Sequence, residues 1–326
     1  MVIDLHSHTM PDSVVRMLEA APDRFGARVE VEDGVKWLSF NGRRRGHVKP
    51  RGDYLDYRLE DMDTLGIDVQ VLAPRPFLIA SWPDAGWAAE LAAAMNEGLA
   101  GMAAKSDRFW AVGQLPLQSP ERSLEEIEHL EALGLRGVEV GAHLDGLELD
   151  DESLEPVWAR LSELEMVVFV HPLNLGYLPR MEPYHLSNLI GNPLDTTIAL
   201  SRLMLSGVLV RHPGIRFYFA HAGGFMPYLF GRIDHSYRSR GDTSAVIDVL
   251  PSSLLARCCF DTITHSEPAL RYLIEAMGSE HVVVGTDYPA DMNDRGVVGT
   301  LSALGLSGEA LARVEHENAE RLFARS

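Results

Sequence analysis

Residues 137–171 read GVEVGAHLDGLELDDESLEPVWARLSELEMVVFVH. A β-branched run, Gly137 to Gly141, opens the stretch, and a second apolar run, Val167 to His171, closes it. Between them Asp151 to Leu164 carries apolar residues at helical spacing, with acidic side chains in the first turn, where they favour the helix macrodipole. The stretch therefore predicts strand, helix, strand.

The same rhythm extends in both directions. Strands are predicted at Ile3 to His8, Val69 to Ala73, Phe109 to Gln114, Ile215 to His221, Cys258 to Asp261 and His281 to Gly285, which with the two above makes eight. Helical patterns lie at Asp84 to Ala104, Pro120 to Leu133, Leu194 to Leu209, Phe225 to Ser239, Pro268 to Met277 and Gly308 to Phe323. Eight alternations predict an α/β fold, a parallel (β/α)8 barrel, with a doubly wound open sheet as the fallback. One interruption follows the short helix Asp12 to Ala20. There Asp33-Gly34 and Asn41-Gly42 sit between β-rich runs, the strongest short hairpin signals. They predict a small antiparallel β-meander at about 27–50, inserted after the first strand. The reading is one barrel domain over 1–326.

Composition narrows the partners. With 46% hydrophobic and 23% charged residues, the chain has enough apolar side chain to build a core. Its formal net charge of −18 repels phosphate backbones and anionic lipid, so neither nucleic acid nor membrane is an expected partner. Met1 runs directly into Val2-Ile3-Asp4-Leu5, without the basic start and long apolar stretch of a secretory leader. The two cysteines, Cys258 and Cys259, are sequence neighbours and make a poor staple. Both features predict a cytoplasmic protein.

Reactive groups of such a barrel gather at the carboxyl ends of its strands. His6 and His8 stand at i and i+2 on the first strand, on one face and about 6.6 Å apart along it. Two imidazoles so placed can converge on one metal ion, at about 2.0 Å each. Thirteen histidines in 326 residues give about half of one such triplet by chance, so the triplet alone is weak. Three further strand ends strengthen it. Val-Val-Phe-Val-His171-Pro, Arg-Phe-Tyr-Phe-Ala-His221-Ala-Gly-Gly and Val-Val-Val-Gly-Thr-Asp287-Tyr-Pro each finish an apolar run with a metal-competent or proton-transferring side chain.

Jointly, His6-x-His8, His171-Pro172, His221-Ala-Gly-Gly and Gly285-Thr-Asp287-Tyr-Pro289 resemble the amidohydrolase superfamily, in its decarboxylase branch typified by aminocarboxymuconate-semialdehyde decarboxylase. The resemblance covers nearly the whole chain, including the meander and Leu59 to Val71. It implies one divalent metal, usually zinc with manganese as an alternative, held by His6, His8, His171 and Asp287. It implies an acid/base role for His221 beside the metal-bound water, with Asp287 also catalytic. It also implies substrate-carboxylate recognition by arginines matching Arg232 and Arg240, one of them reaching across a homodimer interface. A further substrate arginine belongs to the meander, where Arg43, Arg44, Arg45 and Arg51 compete; Arg45 is carried forward.

Physical chemistry supports the set. Neutral imidazoles with one carboxylate suit zinc, which lowers the pKa of its water to about 7. Lysine occurs only at Lys36, Lys49 and Lys105, so no lysine on the fourth strand can bridge two metals or carry a pyridoxal Schiff base. Glu139, on that fourth strand, either bridges a second ion or orients a ligand as a buried carboxylate. No Gly-x-Gly-x-x-Gly follows a strand to signal a dinucleotide. The other 26 basic residues are arginine, whose fixed fork suits bidentate capture of carboxylates.

The function expected is therefore metal-dependent, non-oxidative decarboxylation of a small unsaturated or aromatic carboxylic acid. Hydrolysis of a lactone or cyclic amide, or hydration, would use the same groups. A barrel that binds a ligand without turnover is the reading from outside enzymology.

Overall fold

The computed structural model describes residues 1–22, 27–40, 43–79, 84–144, 146–173 and 179–324, without the side chains at 40, 43, 45 and 179. The Asn41-Gly42 turn lies outside the described residues. Strand β1 (Ile3–Thr9) is followed by a helix, Asp12–Ala20, and by β2 (Ala27–Glu32), β3 (Val35–Phe40) and β4 (Arg43–His47). These three strands pair antiparallel in that order and form the expected meander after the first strand.

The remaining strands are β5 (Val69–Pro74), β6 (Phe109–Ala111), β7 (Gly113–Gln114), β8 (Gly137–Gly141), β9 (His143–Leu144), β10 (Leu147–Glu148), β11 (Val167–His171), β12 (Arg216–Phe219), β13 (Cys258–Asp261) and β14 (Val282–Val283). Parallel ladders run β1-β5-β6 and β7-β8-β11-β12-β13-β14, with β9 and β10 a separate small hairpin. Two junctions turn these ladders into a ring. Strands β6 and β7 are one barrel strand interrupted at Val112, whose N–H still donates to Leu72 O at 3.0 Å. On the other side Leu5 N donates to Val284 O at 2.9 Å and His8 N to Tyr288 O at 2.7 Å, returning β14 to β1. The closed ring is the (β/α)8 barrel, and the open-sheet fallback does not apply.

The barrel interior follows from strand alternation. Ile3, Leu5, Val71, Ala73, Val112, Val167, Phe169, Tyr218, Cys259 and Val283 form one buried cluster, every second residue of their strands. Phe169 and Tyr218 stack at 4.3 Å, and the Tyr218 hydroxyl donates to Leu5 O at 2.8 Å across the barrel. A larger cluster packs the outer strand faces against the helices, with Trp158 its largest fully buried member. Each fully buried large apolar side chain contributes about 1.5–3 kcal/mol, so these two layers hold the barrel rigid beneath its mouth.

Several predicted strands end early, for a reason that concerns the site. Strand β12 stops at Phe219 rather than at His221, and β14 stops at Val283 rather than at Gly285. Beyond both ends the chain leaves the ladder and turns over the mouth, with positive φ at His221 (54°), Ala222 (57°) and Asp287 (59°). Such angles are uncommon for residues with a Cβ and mark a conformation imposed by local partners.

The segment after β4 is pressed onto the mouth. A Cβ at Gly46 would meet the Phe77 ring at 2.7 Å, and one at Gly52 would meet Pro289 at 2.1 Å. Lys49 Nζ donates to Pro289 O at 3.0 Å and to Asp291 at 2.8 Å. Residues 46–53 thus bridge the loops after β5 and β14. Among the described residues no helix is long and apolar enough to cross a membrane.

Candidate metal centre

The inward-facing ends of β1 and β11 bring His6, His8 and His171 together, and the turn after β14 adds Asp287. Ligand atoms of these four buried residues all lie within 4.8 Å of one another. His6 Nε2 stands 3.1 Å from His8 Nε2, and Asp287 Oδ1 lies 3.5 Å from the first and 3.4 Å from the second. The ring centroids of His6 and His171 are 5.1 Å apart, and those of His8 and His171 4.8 Å.

Hydrogen bonding on the far side of each ring decides what the near side offers. His6 Nδ1 faces Asp261 Oδ2 at 2.6 Å, His8 Nδ1 faces Pro74 O at 2.7 Å and His171 Nδ1 faces Pro172 O at 2.8 Å. All three partners only accept, so each Nδ1 carries the hydrogen and each Nε2 presents a lone pair inward. The His171 Nε2 is buried with no hydrogen-bond partner, and the His6 and His8 lone pairs meet head-on. Such an arrangement needs positive charge at its centre. In the metal-free protein His8 supplies it: burial works against its charge, but the Glu139 and Asp287 carboxylates outweigh burial and lift it to about 10. A divalent cation fits the same place, displacing that proton. The donor set, three imidazoles and one carboxylate, is of the kind that suits zinc.

The other ligands are tuned for the same end. Burial, reinforced by the neighbouring imidazoles, pushes His171 well below the ordinary histidine range and keeps it neutral. Burial alone would raise Asp287, but His221 and His8 overcome it and hold the carboxyl well below its usual range.

Three supports behind the ligands are absent from the sequence reading. Asp261, at the end of β13, holds His6 and also accepts from the backbone N–H groups of His221 and Ala222, both at 2.8 Å, which fixes the positive-φ turn. Asp4 is fully buried and accepts from Gln70, Thr286 and the His6 N–H; burial nonetheless raises its pKa to about 6. Arg58 is also fully buried, and all five of its N–H groups find acceptors: Gly52 O twice, Ser7 Oγ, Gln70 Oε1 and His8 O. It thereby fastens β1 to β5 and to the 50–53 turn. Asp261 had the same signal as the ligands, since it closes the apolar run Cys258-Cys259-Phe260. Arg58 sits on a helix, where nothing in its sequence context separates it from a solvated arginine.

His221 lies beside the cluster, with its Nε2 3.7 Å from Asp287 Oδ2 and its Nδ1 buried without a partner. Glu139 stands behind His8, with Oε2 3.7 Å from His8 Nδ1 and both oxygens unpartnered; burial raises it to about 7. It is outside the four-residue group.

The arginines expected to read substrate are scattered. Arg44 is exposed, pairs with Glu32 at 2.6 Å and lies over the Trp37 ring. Arg51 is exposed and pairs with Asp61 at 3.0 Å. Arg240 is exposed and pairs with Asp242 at 2.6 Å, and Arg232 is exposed. The side chains of Arg43 and Arg45 lie outside the described residues. Within one chain, then, neither Arg44, Arg51 nor Arg240 is held at the cluster.

Fold and site together define a parallel barrel with a buried three-histidine, one-aspartate centre at its mouth. The amidohydrolase family profile matches residues 3–325, and the chain belongs to that family. It is 30% identical over 298 residues to a 2-amino-3-carboxymuconate-6-semialdehyde decarboxylase of Dictyostelium discoideum, covering 90% of this chain and 82% of the relative. It is 29% identical to a gamma-resorcylate decarboxylase of Rhodococcus jostii, over 83% of this chain and 88% of that one. Among solved structures, apo IDCase of Metarhizium anisopliae superposes with a TM-score of 0.83 at 27% identity, covering 99% of this chain and 97% of that chain.

Proposed function

We propose that the protein is a metal-dependent, non-oxidative decarboxylase of a small unsaturated or aromatic carboxylic acid. The observation that carries this reading is the convergence of three inward lone pairs and Asp287 at one point, with His221 against it. The decarboxylase names of the similar proteins above point to the same chemistry.

Bound by His6, His8, His171 and Asp287, a divalent cation supplies Lewis acidity toward substrate oxygens. The chain's own residues do the rest. His221 holds a proton on its ring and delivers it to the carbon that bears the departing carboxylate. The C–C bond breaks, its electron pair takes that proton and CO2 leaves. Asp287 serves both the cluster and His221, whose Nε2 stands 3.7 Å from its Oδ2. Arg232, Arg240 and Arg45 hold substrate carboxylate, Arg240 or Arg232 acting from the second subunit of a homodimer. Zinc is the metal expected, and manganese the first substitute.

The test is CO2 release from a panel of unsaturated and aromatic acids by protein loaded with zinc or manganese, against chelated protein. Release that follows metal loading supports the reading. Opening of lactones or cyclic amides, without CO2 from any acid, replaces it with hydrolysis.

A further inference from the structure

Strand β5 is followed at once by an arginine that sequence reading passed over. Val71 and Ala73 belong to the barrel-interior cluster, and Ala73 is the register partner of His8. Arg75 is two residues further along, and its backbone stays extended (φ −68°, ψ 130°). Period-two alternation therefore keeps Arg75 on the inward row, about 6.6 Å above Ala73. The residue between them, Pro74, is the one whose carbonyl orients His8.

Arg75 is 6% exposed, and Asp53, at 5%, holds it. Only Nη2 is engaged, at 2.8 and 2.9 Å from the two Asp53 oxygens. Nε is buried without a hydrogen-bond partner, and the hydrogen bonds of Arg75 among the described residues come from Nη2, not Nη1. Asp53 is itself fixed independently, accepting from Met10 N at 3.0 Å and Lys49 N at 2.7 Å. The contrast with Arg58 is direct: that guanidinium has every donor used, whereas this one is buried, clamped at one corner and left with idle donors. A buried donor without an acceptor costs roughly 1–3 kcal/mol, which an arriving anion removes.

We infer that Arg75, positioned by Asp53, binds the substrate's carboxylate from within the subunit that holds the metal ligands, in addition to the arginines proposed above. With Nη2 held by Asp53, its Nε and Nη1 remain on the two other edges of the guanidinium, each able to donate to one oxygen of an arriving carboxylate. Arg44, Arg51 and Arg240 pair with Glu32, Asp61 and Asp242 instead. This assignment rests on the site taking a carboxylic acid, and not on that acid losing CO2.

The experiment is calorimetric titration of the full-length, zinc-loaded protein with benzoate, 2,6-dihydroxybenzoate and muconate, and with resorcinol as a neutral ring. In Arg75→Met, acid affinity is expected to fall about 10- to 100-fold. Resorcinol affinity and metal stoichiometry are expected to stay as in wild type, whereas the unfolding midpoint falls because Asp53 is left buried without its cation. Arg75→Lys, which keeps the charge but loses the separate Nε and Nη1 donors, is expected to recover part of the loss.

Equal weakening toward acids and resorcinol, unchanged acid affinity, failure of wild type to bind any acid, or loss of folding in both variants each overturns the inference. Arg75-dependent acid binding without CO2 release upholds it while removing the decarboxylase reading. CO2 release that Arg75→Met leaves untouched does the reverse.

Discussion

Asp261 accepts the Nδ1 hydrogen of His6 at 2.6 Å, across 255 positions of sequence, and with the same oxygen accepts the backbone N–H of His221. One carboxylate thus sets both the tautomer of a candidate ligand and the turn that carries the candidate acid/base. In Asp261→Asn one acceptor oxygen is replaced by a donor, and His6 loses the charge behind it. Metal affinity is expected to drop about 10- to 100-fold. Competition with a chromophoric chelator measures it, and wild-type affinity in the variant would reduce Asp261 to a fold residue.

His221 and Asp287 are expected to separate by role. His221→Ala retains metal, because the four-residue group is intact without it, but loses CO2 release. Asp287→Ala loses much of both. Metal analysis beside a single-turnover assay distinguishes them, and full activity in His221→Ala would remove that residue from the reaction.

The metal-free protein is expected to lose stability as pH rises from 7 to 9; below 7 the depressed His6 and His171 act in the opposite direction, gaining stability with pH. Glu139 is raised from 4.5 to about 7 by burial, so its contribution is fully present below about 4.5 and is lost as pH rises through about 7. His8, raised from 6.5 to about 10, acts in the same direction: its contribution is present below 6.5 and lost toward 10. Asp261 and Asp287 are held low, so their contributions are lost only as pH falls below this window. Urea unfolding of chelated protein across this range measures the trend, and Glu139→Gln should flatten it. A curve rising with pH above 7 would contradict the assignment. Metal binding should strengthen over the same range, because each bound cation displaces a proton.

If Arg240 or Arg232 acts across a dimer interface, two inactive variants should complement each other. Mixing His221→Ala with Arg240→Ala after reversible dissociation should restore up to about a quarter of wild-type activity, since half the dimers would be mixed and each would hold one intact site. No recovery, with subunit exchange verified, would place each site within one chain.

Much of the site was legible because a barrel puts strand ends in one place. His6, His8, His171, His221 and Asp287 each follow an apolar run, and parallel strands around a closed ring must bring such positions together. The meander was legible from Asp33-Gly34 and Asn41-Gly42, where turn chemistry is local. What escaped was the partnering. Asp261 closes its strand as the ligands do, yet which strand neighbours which donor depends on the order of strands around the ring. Arg44, Arg51 and Arg75 look alike in one dimension. Only the fold shows two of them in exposed ion pairs and the third buried beside Asp53.

The amino-acid sequence determined the alternation of strands and helices, the inserted meander and the set of metal-competent side chains, because periodicity and turn chemistry act over a few residues. The tertiary structure alone decided that His6, His8 and His171 turn their Nε2 atoms inward, that Asp261 joins His6 to His221, and that Arg75 is buried with donors to spare. Those properties belong to pairs of groups far apart in the chain, and their energies depend on burial and distance, which exist only once the barrel has closed.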